Sequence, residues 1–179
     1  MGLLGSGRQR DAGFVAYYEA RAAAVRKTAY VLCGDWHLAE DLAQIAFTRL
    51  YQAWHRLERH DALDGYVRQT LFRAFLDNRR RPWRREYATG PDSPVFDTPV
   101  EGHEHSGERE ILLAALSRIP KRRRAVLVLR YWEDLSVDEV AHLLDCSPGT
   151  VRSQASRGLA DLRTALGDDL VDLIAGGGR

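Results

Sequence analysis

The fold is decided by the stretch "LSVDEVAHLLDCSPGTVRSQASRGLADL", which runs from Leu135 to Leu162. Ser136 followed three residues later by Glu139 forms a capping box, the signature of a helix start. Ser147 followed by Pro148 marks a second helix start, because serine caps a helix and proline suits its first position. Apolar residues recur at helical spacing after both starts. The stretch therefore predicts two helices joined by a turn of about three residues, which is the helix-turn-helix pattern.

The second of these helices has two different faces. Its apolar stripe is formed by Val151, Ala155, Leu159 and Leu162. A helix that enters the major groove of DNA needs such a stripe to hold it on its own domain. It also needs small or hydrogen-bonding residues on the opposite face, where they meet base edges and phosphates. The predicted DNA-contacting residues are Thr150, Arg152, Ser153, Gln154, Ser156 and Arg157. The pattern alone also fits a helix of an ordinary bundle whose polar face is solvated.

The rest of the chain predicts helices as well. Apolar residues at steps of three and four predict a helix from about Asp11 to Cys33 and a second one capped by Asp35. A third is expected to start near Asp61 or Asp64 and to run into an arginine cluster. The run "AVLVL" at 125–129 is a candidate buried strand, but its neighbours are helical and no partner strand is present. The fold class is therefore predicted to be all-α.

Composition divides the chain into two small helical domains. From Tyr87 to Ser106 the sequence is rich in Gly, Pro, Asp, Thr and His, and its prolines are too closely spaced for a helix. We interpret residues 87–106 as a flexible acidic linker between an N-terminal domain at 11–86 and a C-terminal domain at 107–167. A linker of this length can separate two domains by tens of ångströms, at up to about 3.3 Å per residue. The relative placement of the domains therefore need not be fixed in the free protein.

Charge is segregated along the chain, although the formal net charge is only +1. Five arginines lie between Arg79 and Arg85, and the run "KRRR" occupies Lys121 to Arg124. These two basic patches flank the acidic linker. The arginine cluster, interleaved with Trp83, favours contact with DNA or with a partner protein, with a solvated helix end as the alternative. The acidic linker fits either a segment that occupies a basic channel of a partner or a plain tether.

Several function classes are not indicated by the sequence. Cys33 and Cys146 form no CxxC or Cys/His cluster, and the pair His103 and His105 lacks further ligands at zinc spacing. No nucleophile elbow, phosphate loop or zinc-protease motif occurs, so an enzyme is not expected and neither a cofactor nor a metal is predicted. No apolar run approaches the roughly 18 residues of a membrane span, and the first residues lack a signal peptide. We therefore expect a cytoplasmic protein.

Two motifs resemble one known family. The stretch "YWEDLSVDEVAHLLDCSPGTVRSQASRGLADLR" at 131–163 resembles the promoter-binding domain of bacterial sigma-70-family factors, in particular the extracytoplasmic-function (ECF) group. The stretch "GDWHLAEDLAQIAFTRLYQAWHRL" at 34–57 resembles the core-binding part of their N-terminal domain. The resemblance covers the chain from about Phe14 to Leu166 in the right order. The sequences "NRRRPWRRE" and "SPGTVRSQASRGL" are similar to the actinobacterial branch called SigE-like.

The resemblance implies a transcription initiation factor that directs RNA polymerase core to promoters. Its first domain would bind the β′ clamp helices and open the −10 element, and its second would bind the −35 element next to the β flap. In many relatives an anti-sigma factor is a further partner. The core-binding residues implied are Asp41, Leu42, Gln44 and Arg49. Those implied at the −10 element and in strand opening are Arg73, Asp77, Asn78, Arg80, Arg81 and Arg84. The loop at 56–65 matches the place where the family captures a flipped base.

The third helix departs from the family pattern. Tyr66, Gln69, Thr70 and Arg73 replace the family's usual Trp, Arg, Ile and Asn, and Asp77 is the match that remains. Individual −10 contacts are therefore expected to differ from those of relatives. A stand-alone helix-turn-helix regulator is the main rival hypothesis. It would leave the "AEDLAQIAF" helix and the arginine cluster without a purpose.

Overall fold

The structure, a computed structural model, describes the backbone of residues 3–57, 60–78 and 107–167 and the side chains of residues 11–57, 62–78 and 107–167. Every regular element within these ranges is helical, as predicted. The predicted linker, the arginines at 79–85 and the pair His103 and His105 lie outside the described residues.

The N-terminal domain packs three long helices. Helix α1 spans Leu3–Cys33, α2 spans Trp36–Ala53 and α3 spans His60–Asp77, with a 3-10 turn at Trp54–Arg56 after α2. Helix α1 thus begins earlier than the predicted Asp11. The predicted cap of α2 is confirmed, because Asp35 accepts a hydrogen bond of 2.8 Å from the backbone N–H of Leu38.

The apolar stripes of these helices meet in a common core. Fully or nearly fully buried members include Leu32, Leu42, Leu50, Leu71 and Phe75. The stripe predicted by the spacing of Leu63, Val67 and Leu71 omits Phe72, which is also fully buried. Helical spacing from Phe14 places Tyr18 on the apolar stripe of α1, but Tyr18 is 42% exposed, because it lies at the edge of the α1–α2 contact with its ring against Phe47.

The C-terminal domain is built from four helices. Helix α4 spans Gly107–Arg118, α5 spans Lys121–Leu127, α6 spans Val137–Leu143 and α7 spans Pro148–Leu166. A π-helical segment at Val128–Trp132 extends α5. Its presence confirms that the run "AVLVL" is helical. Because proline suits the first position of a helix, the sequence predicts Pro120 as the first residue of α5. The structure instead has Pro120 as the N-cap residue, one position before Lys121.

The two domains are packed against each other, although the sequence suggested that their placement need not be fixed. One cluster of buried apolar side chains includes residues of both domains. The guanidinium of Arg124 in α5 donates a hydrogen bond of 2.9 Å to the carbonyl oxygen of Leu32 in α1. At Gly34, φ is +71° and an added Cβ would lie 4.0 Å from Cβ of Ser117 in α4. The structure thus describes a closed arrangement of the two domains.

Candidate DNA and polymerase interfaces

Helices α6 and α7 form the predicted helix-turn-helix. The hydroxyl of Ser136 accepts a 3.2 Å hydrogen bond from the backbone N–H of Glu139, whose carboxylate accepts one of 2.7 Å from the backbone N–H of Ser136. Both halves of the predicted capping box are therefore present. These hydrogen bonds hold the pKa of Glu139 below its usual range. Ser147 caps α7, because its hydroxyl accepts a hydrogen bond of 3.1 Å from the backbone N–H of Thr150, and Pro148 is the first residue of that helix, as predicted.

The turn between α6 and α7 depends on one unusual backbone conformation. Asp145 has a φ of 51°, in the left-handed region that short polar residues tolerate better than bulky ones. The backbone N–H of Cys146 then donates a hydrogen bond of 2.9 Å to the carbonyl oxygen of Ala141 at the end of α6. This sharp turn sets the angle at which α7 leaves α6.

Contacts on its inner side fix α7 to the domain. Val151 is fully buried, and Gly158 lies so close to α5 that an added Cβ would be 3.1 Å from Cγ of Leu127. At the side of α7, the guanidinium of Arg123 donates a hydrogen bond of 2.7 Å to the carboxylate of Asp161. Since packing and an ion pair both hold the helix, its outer face points in a defined direction.

The outer face of α7 contains the predicted DNA-contacting residues. The exposed ones are Arg152, Ser153, Ser156 and Arg157, while Thr150 and Gln154 are half-buried at its margin. The hydroxyl of Ser153 donates a hydrogen bond of 3.0 Å to the carbonyl oxygen of Thr150. The hydroxyls of Thr150 and Ser147 lie 2.9 Å apart. Two arginines and short hydroxyl side chains next to a helix N-terminus are suited to phosphates and base edges.

The predicted core-binding residues divide between the surface and the interior of α2. Gln44 and Arg49 are exposed and Asp41 is half-buried. Leu42 is only 1% exposed and belongs to the apolar core, so its assignment to a binding surface is wrong for this structure. The spacing explains the error, because Leu42 is adjacent in sequence to Asp41 but is turned about 100° around the helix.

Sequence reasoning missed an apolar member of the α2 surface. Ile45 is 40% exposed and follows Gln44 directly. Asp41, Gln44, Ile45 and Thr48 share one helix face, at spacings of three, four and seven residues. The signal was present in the sequence, since Ile45 falls outside the stripe that Ala46 and the other buried residues of α2 define.

The predicted −10 residues lie at the end of α3 as far as the structure describes them. Arg73 and Asp77 are exposed, and Asn78 is half-buried with its carbonyl oxygen bound by Lys121. Arg80, Arg81 and Arg84 are outside the described residues. The predicted base-capturing loop at 56–65 is shorter than expected, because α3 already begins at His60.

The run "KRRR" is not the uniform basic patch that the sequence suggested. Arg122 is exposed, but Arg123 pairs with Asp161 and Arg124 is only 9% exposed. Lys121 and Arg124 both reach across to the N-terminal domain. Within this run, internal contacts therefore use most of the positive charge.

Other chemistry is limited among the described residues. Within those ranges, no group of three or more His, Cys, Asp or Glu side chains is placed to hold a metal ion. Cys33 and Cys146 are half-buried free thiols. Burial raises the pKa of Cys33 to about 11, against a smaller opposing effect of its hydrogen bond to the carbonyl oxygen of Asp35. None of the helices in the described part of the chain is long and apolar enough to cross a bilayer.

Comparison with known proteins places both domains in one family. The family described as sigma-70 region 2 matches residues 17–85, and the family described as sigma-70, region 4 matches residues 109–162. The RNA polymerase sigma-E factor of Streptomyces coelicolor is 34% identical over 155 residues, which cover 86% of this chain and 85% of that protein. The ECF RNA polymerase sigma factor SigE of Mycolicibacterium smegmatis is 33% identical over 147 residues, covering 79% of this chain and 57% of the relative.

A solved structure has the same fold. The sigma factor RpoE of Bartonella quintana, determined in complex with the anti-sigma factor NepR, superposes with a TM-score of 0.65 at 21% identity. The superposition covers 86% of this chain and 96% of that one. Region 2 followed by region 4 with its helix-turn-helix defines the class of promoter-recognising transcription initiation factors. The chain belongs to the sigma-70 family of RNA polymerase sigma factors, in its ECF group, and its relatives include the sigma-E factors of Streptomyces.

Proposed function

We propose a division of labour within this sigma factor in which the outer face of α7 reads the −35 element, the α2 surface binds RNA polymerase core and the end of α3 acts at the −10 element. The observation that supports it most directly is the outer face of α7. Arg152 and Arg157 are exposed there on a helix that Val151 and Gly158 anchor. A recognition helix needs this combination of a fixed inner side and hydrogen-bonding outer residues.

For the −35 element, Arg152 is the proposed base reader. A bidentate arginine–guanine contact contributes about 1–3 kcal/mol of discrimination between bases. Arg152→Ala should therefore relax sequence preference at one or two upstream positions. Arg163→Ala is the matched control, because Arg163 is an exposed arginine in the last turn of the same helix. Equal relaxation by both variants, or by neither, would remove Arg152 from the readers.

For polymerase core, the proposed contact is the α2 surface formed by Asp41, Gln44, Ile45, Thr48 and Arg49. A half-exposed isoleucine beside polar residues is typical of a contact that is apolar in the middle and polar at its rim. Ile45→Asp should weaken binding to core at least about tenfold, since it would place an unpaired charge in that contact. Thr164→Asp adds the same charge at an exposed position in the last turn of α7, outside the α2 surface. If both variants bind core equally well, the assignment fails.

At the −10 element, no catalytic group is required. Unstacking a base costs a few kcal/mol, which pocket contacts and cationic side chains can offset. The proposed participants are Arg73, Asp77 and Asn78 among the described residues, and Arg80, Arg81 and Arg84 outside them. The family comprises initiation factors and not enzymes, and we propose that this chain acts without catalysis, in the cytoplasm where polymerase and DNA are found.

The β flap and an anti-sigma factor are further proposed partners. The β flap is the proposed polymerase contact of the C-terminal domain. The anti-sigma factor is suggested by RpoE, whose structure was determined with NepR bound. The rival hypothesis of a stand-alone regulator is not favoured, because the region 2 match occupies the half of the chain that a regulator would leave without a use.

A further inference from the structure

One side of α3 carries a row of polar and aromatic side chains next to α2. Tyr66, Gln69, Arg73 and Asp77 follow one another at spacings of three and four residues, so they share one helix face. Arg73 and Asp77 are exposed, whereas Tyr66 and Gln69 are half-buried. The hydroxyl of Tyr66 donates a hydrogen bond of 3.4 Å to the carbonyl oxygen of Arg49, which places this α3 row beside α2.

Packing on the other side of α3 fixes the direction of the α3 row. Leu71 and Phe75 are each 2% exposed and belong to the apolar core. Because that side of the helix is held in a close-packed core, the row has a defined outward direction. Gln69, Arg73 and Asp77 follow at steps of four residues, and each step is about 6 Å along the helix axis. Nucleotides of one strand are about 3.4 Å apart, so the three end groups can meet neighbouring bases of a single strand.

Arg73 is the strongest hydrogen-bond donor of the α3 row. A guanidinium presents five N–H donors in a planar fork and keeps its positive charge at neutral pH. The ion pairs between described side chains involve other residues, so within the described ranges this fork has no carboxylate partner. Asp77 lies one turn further along, and its exposed carboxylate repels the phosphates of a strand. The surroundings of Arg73 therefore favour an uncharged base edge over a phosphate.

We propose that Arg73 selects a guanine in the −10 element by donating two hydrogen bonds from its guanidinium to N7 and O6 of that base. Guanine offers two acceptors side by side on this edge, and the paired arginine contact depends on both. The edge is accessible in the major groove of the duplex and also on an unpaired strand. The inference rests on the proposed role of the end of α3 at the −10 element. Arg73 is also a position at which α3 departs from the family pattern, so the preference is not carried over from relatives.

The test uses the full chain with RNA polymerase core and templates whose −10 segment is randomised. The upstream element is held at a sequence that the unmodified chain selects, and the transcribed templates are sequenced. At one position of the −10 segment, guanine on one strand should be enriched at least about fivefold over every other base. Arg73→Gln should transfer that preference to adenine at the same position, because glutamine forms a paired contact with N6 and N7 of adenine.

Salt dependence separates a base contact from a phosphate contact. If Arg73 bound a phosphate, Arg73→Gln would weaken binding to all templates alike and would lower the slope of log affinity against log salt by about one. A base contact predicts that the variant keeps the slope of the unmodified chain, measured for the chain–core complex on a selected promoter. Arg118→Gln is the matched control, because Arg118 is an exposed arginine in the last turn of α4. It should leave the −10 preference unchanged.

Each outcome supports or overturns the selection of guanine by Arg73. A −10 element without an enriched guanine would overturn it, and so would a guanine preference that persists in Arg73→Gln. A lowered salt slope with uniform loss across templates, or an equal shift caused by Arg118→Gln, would overturn it too. In these cases the chain still selects a promoter, so the proposed function stands. If the unmodified chain selects no −10 element at all, the proposed function has failed and this inference with it. Equal binding of the unmodified chain and Arg73→Gln to core shows that the variant is folded.

Discussion

Arg124→Met should destabilise the protein strongly, although Arg124 is one of four consecutive basic residues. Its guanidinium donates to three carbonyl oxygens, those of Leu32, Ser117 and Ile119, at 2.6–2.9 Å. Methionine fills similar space but leaves these acceptors without the donor. Hydrogen bonds to a charged group contribute about 1.5–3 kcal/mol each, and water can replace part of the loss at helix ends. We therefore expect a loss of about 3–5 kcal/mol in the free energy of unfolding.

The assay is thermal and urea unfolding of the full chain followed by circular dichroism. For a protein of this size, 1 kcal/mol shifts Tm by about 2–4 °C, so Arg124→Met should lower Tm by roughly 6–20 °C. The exposed neighbour Arg122 supplies the control, because Arg122→Met should change stability by no more than about 0.5 kcal/mol. Equal shifts for the two variants would refute the capping role of Arg124. A Tm for Arg124→Met within a degree or two of the unmodified chain would refute it as well.

Three other outcomes follow from single contacts. Ser147→Ala should cost about 1 kcal/mol in urea unfolding with an unchanged m-value, since it removes only the cap of α7, and a loss below about 0.3 kcal/mol would contradict that role. Gly158→Val should destabilise the protein by about 1–3 kcal/mol, because Cγ of the buried Leu127 would lie 3.1 Å from the new Cβ. A gain in Tm would show that the packing between α5 and α7 can adjust without cost. Cys33 should react with iodoacetamide far more slowly at pH 8 than at pH 11, because burial raises its pKa to about 11 and keeps the thiol protonated. An alkylation rate at pH 8 equal to that of free cysteine would contradict the burial of Cys33. Because the pKa of this thiol is raised in the folded state, the free energy of unfolding should also fall as pH rises from about 9 towards 11.

The elements that the sequence predicted best depend on local signals. The caps at Asp35, Ser136 and Ser147 are read from one residue and the backbone three positions later, so no distant part of the chain is needed. The outer face of α7 is predicted for the same reason, because the helical period separates Val151 from Ser153 and Arg157 without knowledge of the packing partner.

The features that were missed depend on contacts between distant residues. Leu42 and Ile45 are exceptions, because the helical period of α2 already separates the buried Leu42 from the exposed Ile45. The run "KRRR" reads as a basic patch until the ends of α1 and α3 are placed beside it. Closure of the domains joins Thr28 to Glu133 across more than one hundred residues, and no spacing rule within the sequence indicates that pair.

Transcription from a library of randomised promoters tests the central claim most directly. The chain is added to bare RNA polymerase core from the same organism, and the transcribed templates are sequenced. The account predicts transcripts that depend on added protein and that select two separate elements upstream of the start, with Arg152→Ala relaxing only the upstream one. Absence of protein-dependent transcripts across the whole library, or selection of a single palindromic element, would contradict it.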